Sequence, residues 1–238
     1  MSIARLLSVT ATLKTQRIFE RSIKIISGIP SGERGMVTVD KRALYPAPRT
    51  TLAEICTDLG CPDSSALDPF LKQAHAIYFA ADSDIGKCYL EFTPQTAPLP
   101  DLVFMAIKWR GEDVKVSHYT SIAHKPQRAQ EKLIDALVPP GPVCDLMHAC
   151  LPVARDSTPD GEAVVLHVTE EDTPRASVDI NMSDAKLTMA QAGPLLSPLY
   201  TAYGIKPNLT DANFGHLAAG TDREGAPFAT FYYGAKMI

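Results

Sequence analysis

Ile77-Tyr78-Phe79-Ala80-Ala81-Asp82-Ser83-Asp84-Ile85-Gly86-Lys87-Cys88-Tyr89-Leu90-Glu91-Phe92 is an apolar run, a short polar turn and a second run that mixes apolar with polar residues. The same grammar returns in His216–Tyr233 (HLAAGTDREGAPFATFYY), again with paired alanines, an Asp and a Gly between two apolar arms. Turn residues flanked by runs of β-forming residues predict a β-hairpin. Three further stretches fit: Ser22–Val39 around Gly28-Ile29-Pro30-Ser31-Gly32, Leu102–Tyr119 around Gly111-Glu112-Asp113, and Ala163–Met182 around Glu170–Pro174. One hairpin cannot bury its own face, whereas five side by side can. About ten strands is near the limit of an open twisted sheet, so closure into a barrel, complete or partial, is expected.

Helical spacing fills the gaps. Leu52, Ile55 and Leu59 follow Thr50 or Thr51 as cap, with Glu54 completing a capping box, and Gly60 as the stop. Helices are also expected over Ser65–His75, Pro126–Val138, Cys144–Val153, from Ser183 or Asp184 to Gln191, and Leu195–Tyr203. Only Thr93–Asp101 separates the second and third hairpins, so a helical pair is missing there. Hairpins alternating with helical pairs are not βαβ alternation, which argues against a parallel doubly wound sheet. The expected fold is α+β: one domain, residues 1–238, with an antiparallel sheet covered on one face by helices.

The 238 residues are 45% apolar and 21% charged, with a net charge of −4, which does not suggest a nucleic-acid or anionic-membrane partner. No apolar run approaches the ~20 residues that span a bilayer, and the N-terminal stretch lacks the pattern of a secretory signal, so a cytoplasmic protein is expected. Cys56, Cys61, Cys88, Cys144 and Cys150 are odd in number and lack the tight spacing of common zinc sites. They read as reduced, buried small hydrophobes, even though His148 lies within the second pair.

Strand side chains alternate between faces. Lys87, Tyr89 and Glu91 therefore oppose Cys88, Leu90 and Phe92. Lys115, Ser117 and Tyr119 oppose Val114, Val116 and His118; Arg175, Ser177, Asp179 and Asn181 oppose Ala176, Val178, Ile180 and Met182; Thr230 and Tyr232 oppose Phe231 and Tyr233. The polar set faces either water, as antiparallel sheets commonly allow, or a lumen. Tyrosines beside Lys and Arg suit a partly enclosed site.

The Lys87-Cys88-Tyr89-Leu90 strand, preceded by Asp82, Asp84 and Gly86, within repeated ββαα units, resembles the ABBA-type aromatic prenyltransferases. The resemblance implies a ten-stranded antiparallel barrel ringed by helices, with a lumen that takes an isoprenoid diphosphate and an aromatic acceptor. It implies binding roles for Lys87, Tyr89, Lys115, Tyr119, Arg175 and Tyr232, and a proton-accepting carboxylate at Glu91 or Asp179. Mg²⁺, if used, would fall to Asp82 or Asp84, against the commoner role of Asp as a turn former. The chain departs from the family in its shorter length, its missing helical pair and the lack of a basic residue on the last return strand before Lys236. Two alternatives stand beside a transferase. One is a non-catalytic small-molecule-binding or assembly protein on the same scaffold. The other is a different biosynthetic enzyme using His118 or His167 with carboxylates. Trp109 could stack on a ligand or pack at a strand end.

Overall fold

The computed structural model describes residues 1–82, 84–206 and 210–238, and of 31–33 the backbone only. Five hairpins form: β1 (Arg17–Ile26) with β2 (Ile29–Asp40), β3 (Ala76–Asp82) with β4 (Ile85–Glu91), β5 (Leu102–Arg110) with β6 (Asp113–Ser121), β7 (Val165–Glu170) with β8 (Ala176–Asn181), and β9 (Phe214–Thr221) with β10 (Pro227–Met237). Neighbouring strands all pair antiparallel, and β10 returns to β1 to close a ten-stranded barrel. The short Thr93–Asp101 connection does not open it, because β4 pairs directly with β5 from Gly86↔Trp109 to Glu91↔Phe104.

The first turn falls earlier than the Gly-Ile-Pro-Ser-Gly stretch suggests. Ser27 and Gly28 both have positive φ (47° and 84°), the signature of a two-residue hairpin turn. Pro30 is then already in β2, paired with Ile25 of β1, while pairing of β2 with β3 begins only at Arg34. Its missing N–H therefore interrupts no ladder on that side.

Helices wrap the outside. α1 (Ile3–Ala11), capped by the Ser2 hydroxyl, was not expected; it seats Leu6 in the core. α2 (Pro48–Asp58) starts on Pro48 rather than on a Thr cap, which puts Thr50 and Thr51 inside the helix. Ser65–His75 is not an α-helix. A single 3₁₀ turn, Ser65–Leu67, gives way to successive turns; Asp68 keeps helical backbone, but Pro69 has no N–H with which to continue the run of hydrogen bonds. α3 (Gln127–Leu137) and α4 (Pro142–Asp156) follow one another directly and pack as a pair. Beyond a 3₁₀ turn at Ser183–Ala185 the expected helix to Gln191 stops at Lys186, whose φ is 52°. α5 (Gly193–Tyr203) then starts on Pro194 instead of being interrupted by it.

The barrel carries its hydrophobic core on the outside. One cluster lies under α1 and α2, with Phe79, Cys88, Leu90, Ile107 and Trp109; a second lies under α3, α4 and α5, with Met147, Leu151, Leu199, Phe214 and Phe231. Trp109 lies flat on Gly86, where an added Cβ would come within 2.2–2.4 Å of the indole. That close approach accounts for Gly86 and settles Trp109 as a packing residue. No helix among the described residues is long and apolar enough to cross a membrane.

Candidate active site

With the apolar set facing outward, the alternate residues of all ten strands point into the lumen. A cavity of about 370 Å³ opens at the end of the barrel that carries the hairpin turns. Small lumen residues, Ala80, Ala106, Ser117, Ser177 and Ala218, leave room for it.

Five cations converge in its upper part: Lys24, Arg34, Lys87, Lys108 and Arg175. Arg34, Lys87 and Lys108 are buried, and two buried carboxylates, Asp82 and Glu170, stand among them. Asp82 binds the Arg34 guanidinium and lies 3.4 Å from Lys87 Nζ. Glu170 accepts from Arg223 Nε at 2.6 Å and lies 3.5 Å from Lys108 Nζ. Lys108 Nζ and Arg175 Nη1 are nevertheless buried with no hydrogen-bond partner among the described residues. A buried polar group without a partner is costly, and a charged one more so.

The electrostatics carry the same strain. Burial pushes the Lys87 ammonium down to about 7, with the Arg34 charge adding to the shift, and pushes Lys24 down to about 8. Lys108 is lowered as well, by burial and then by the Arg175 charge. Burial raises Asp82, but Lys87, Arg34 and Lys24 outweigh it and hold the carboxyl below its ordinary range. Burial likewise opposes the Glu170 carboxylate, yet its hydrogen bond from Arg223 and the charges of Lys108 and Arg175 bring it to about 2. The cluster has more positive charge than its own carboxylates offset, so it favours an anion.

Below the cations lie Tyr89, Tyr119 and Tyr232. Burial raises all three phenols, which therefore stay protonated and able to donate. Tyr89 and Tyr119 stack edge to face at 5.7 Å, and Phe104 and Tyr78 extend the aromatic layer. Lys108 sits 5.5 Å from the Tyr119 ring centre, and Lys24 lies 4.5 Å from that of Phe228. Toward the opposite end the lumen turns acidic. Asp179 lies 3.3 Å from His216 Nδ1, Glu20 is buried over Gly215, and Glu91 accepts from Tyr78 Oη at 2.8 Å. Burial lowers His216, but its bond to Asp179 and the charges of Asp179, Glu20 and Glu91 raise it overall, which favours the imidazolium.

Of the residues singled out in the sequence, Lys87, Tyr89, Tyr119, Arg175, Asp179 and Tyr232 line this cavity. Glu91 and Lys115 do not. Glu91 is in the lower aromatic layer, engaged with Tyr78. Lys115 pairs with Lys108 across the strands, but its ammonium lies at the mouth, 3.8 Å from Asp113. His118 and His167 belong to the outer face of the sheet, with His118 3.8 Å from Glu171. Lys24, Arg34, Lys108, Glu170, Glu20 and His216 were missed. Lys24 and Lys108 carry a signal, a charged residue between apolar neighbours as in Ile23-Lys24-Ile25 and Ile107-Lys108-Trp109, whereas Arg34, Glu170 and Glu20 stand beside other charges in the sequence.

Asp82 and Asp84 do not make a convincing Mg²⁺ cradle. Asp82 already serves Arg34 and Lys87, and Asp84 serves Arg110 at the rim, 2.8 Å away. A divalent cation here would add like charge to a cluster already rich in it.

No protein-family model and no curated protein matches the chain. Its fold does match solved structures. 5-Dimethylallyltryptophan synthase from Streptomyces coelicolor superposes with a TM-score of 0.55 at 15% identity, over 90% of this chain and 80% of that one. PriB in a binary complex with product diphosphate gives 0.57 at 13% identity, over 91% and 79%. AnaPT from Neosartorya fischeri gives 0.50 at 11% identity, over 90% and 77%. The chain thus has the ten-stranded antiparallel barrel of the ABBA-type aromatic prenyltransferases.

Proposed function

We propose that the protein transfers an allylic isoprenoid group from its diphosphate to an aromatic acceptor inside the barrel. The observation that carries this reading is the convergence of Lys24, Arg34, Lys87, Lys108 and Arg175 on one cavity, with Lys108 Nζ and Arg175 Nη1 lacking hydrogen-bond partners among the described residues. A diphosphate supplies the oxygens these donors lack, and charge-assisted bonds of this kind are strong. A barrel that only held an apolar ligand would need no such convergence. The neighbours support the reading, since the Streptomyces coelicolor synthase was solved with DMASPP and Trp, and PriB with L-tryptophan and dimethylallyl thiolodiphosphate.

The chemistry follows from the layering. The allylic C–O bond breaks and its electron pair leaves with the diphosphate, whose growing charge the cation cluster stabilises. Tyr89, Tyr119 and Tyr232 shield the allylic cation with their ring faces and keep water from it. A ring carbon of the acceptor supplies the electrons of the new C–C bond, and the proton on that carbon then departs. In this reading Asp179 accepts it, supported by its position in the cavity beside His216, whereas Glu91 lies in the layer beneath. Lys87, Tyr89, Arg175 and Tyr232 bind donor and acceptor in this reading. Lys108 takes the place that alternation alone assigns to Lys115.

Residues 1–238 read as one α+β domain, supported by a barrel that uses the chain from Arg17 to Met237. A cytoplasmic setting is supported by five cysteines that are all free and buried. The test is incubation with dimethylallyl and geranyl diphosphates and a panel of indoles and phenols, read by mass spectrometry. The account expects one isoprenoid unit added to at least one acceptor, and none with Lys87→Ala. No product, together with no thermal stabilisation by any allylic diphosphate, would contradict it.

A further inference from the structure

A second cluster of chemistry lies outside the barrel, on the α3–α4 pair. Cys144 and His148 are four residues apart on α4 and so share one face of the helix. Asp135 reaches that face from α3, with its Oδ1 2.8 Å from His148 Nε2. One ligand atom from each of Asp135, Cys144 and His148 lies within 4.8 Å of the other two. Cys150, the partner that sequence spacing brings to mind for Cys144, is fully buried in the outer core and takes no part.

We propose that Asp135, Cys144 and His148 form a binding site for a zinc-class divalent ion, with three protein ligands and a fourth position open to water. A thiolate, an imidazole and a carboxylate are the donors such ions take. Bonds of about 2.0–2.3 Å in a tetrahedral shell place ligand atoms about 3.5 Å apart. The trio therefore closes on an ion through side-chain rotation alone, on two helices already packed together. Bound there, the ion cross-links α3 to α4, the helix that seats Met147, Cys150 and Leu151 against the barrel. None of the three ligands lines the lumen cavity, so the site stands independently of the transfer reaction.

Cobalt(II) reports on such a site, because a thiolate ligand gives an intense charge-transfer absorption that oxygen and nitrogen ligands do not. Titration of the metal-stripped full chain with Co²⁺ should develop that band at one ion per chain. Cys144→Ser should abolish it, while His148→Ala and Asp135→Asn should weaken binding about tenfold or more. Zn²⁺ should displace the cobalt and raise the melting temperature of the wild type but not of Cys144→Ser. Absence of a charge-transfer band, or a band that persists in Cys144→Ser, overturns the proposal. Asp135 is exposed, so Asp135→Asn gives a folded variant on which the affinity can be read even if a cysteine substitution destabilises the helix.

Discussion

Lys87 and Cys88 are adjacent in β4 and face opposite sides of one sheet. Cys88 joins Phe79, Leu90 and Ile107 in a dry outer core under the helices; Lys87 joins four other cations in the lumen. Most small barrels fill their interior with apolar side chains. Here the outer shell does that work, and the lumen holds buried charge without enough partners. The difference teaches that stability and function have been assigned to opposite faces of the same strands. Substitutions should therefore sort by face rather than by strand.

The largest expected effect is on the shell. Phe79→Ala, at a fully buried position, should cost about 3–5 kcal/mol, measured by chemical denaturation. A loss below about 1 kcal/mol would break the assignment of stability to the outer face. One position inward the sign reverses. Lys108→Met should leave stability unchanged or raise it, because the buried ammonium makes no hydrogen bond and only a long 3.5 Å pairing with Glu170, which keeps its 2.6 Å bond from Arg223 when Lys108 is removed. The same variant should weaken diphosphate binding by about tenfold to a hundredfold, the worth of a charge-assisted bond of about 1.5–3 kcal/mol. Unchanged binding alongside lost stability would mean that Lys108 is structural.

The smallest effect is a pH dependence. The Lys87 ammonium titrates at about 7 in the fold against 10.5 ordinarily, and Lys24 at about 8. Above about pH 7 these two lysines bind more protons in the unfolded chain than in the native one, so their contribution raises native stability with pH, until the buried thiols, with Cys61 and Cys150 held up to about 12, begin to oppose it near pH 9. The melting temperature of the ligand-free protein should therefore climb between about pH 7 and about pH 9, and Lys87→Met should flatten part of that climb. Diphosphate affinity should move the opposite way and fall over the same interval as the ammonium groups lose their protons. A melting temperature that falls through that interval in the wild type and not in Lys87→Met would contradict the placement of charge.

Much of this division was legible in the sequence, because alternation is a local rule. Lys87 and Tyr89 against Cys88 and Leu90 state the two faces without any tertiary information. The hairpin rhythm likewise announced ten strands. Closure was legible as an expectation from the strand number, but whether it is complete or partial was not, since that depends on β1 meeting β10 across nearly the whole chain. Lys24, Arg34 and Lys108 were not legible; they enter the site from β1, β2 and β5, through pairings such as Lys24↔Thr230, Arg34↔Asp82 and Lys87↔Lys108. Lys115 shows the limit of the rule, for alternation fixes the face of a side chain but not whether its long stem reaches inward or to the mouth. Over Ser65–His75 the apolar spacing persists, with Leu67, Leu71 and Ala74 buried, while Pro69 supplies no N–H and the segment continues as separate turns.

The central claim is that the lumen cations converge on one diphosphate. Isothermal titration of the protein with dimethylallyl thiolodiphosphate, an unreactive donor analogue, tests it most directly when repeated with Lys87→Ala and Lys115→Ala. The account predicts one site per chain, binding lost or weakened at least about tenfold in Lys87→Ala, and little change in Lys115→Ala, whose ammonium lies at the mouth beside Asp113. No binding to the wild type, or equal binding to wild type and Lys87→Ala, would contradict it.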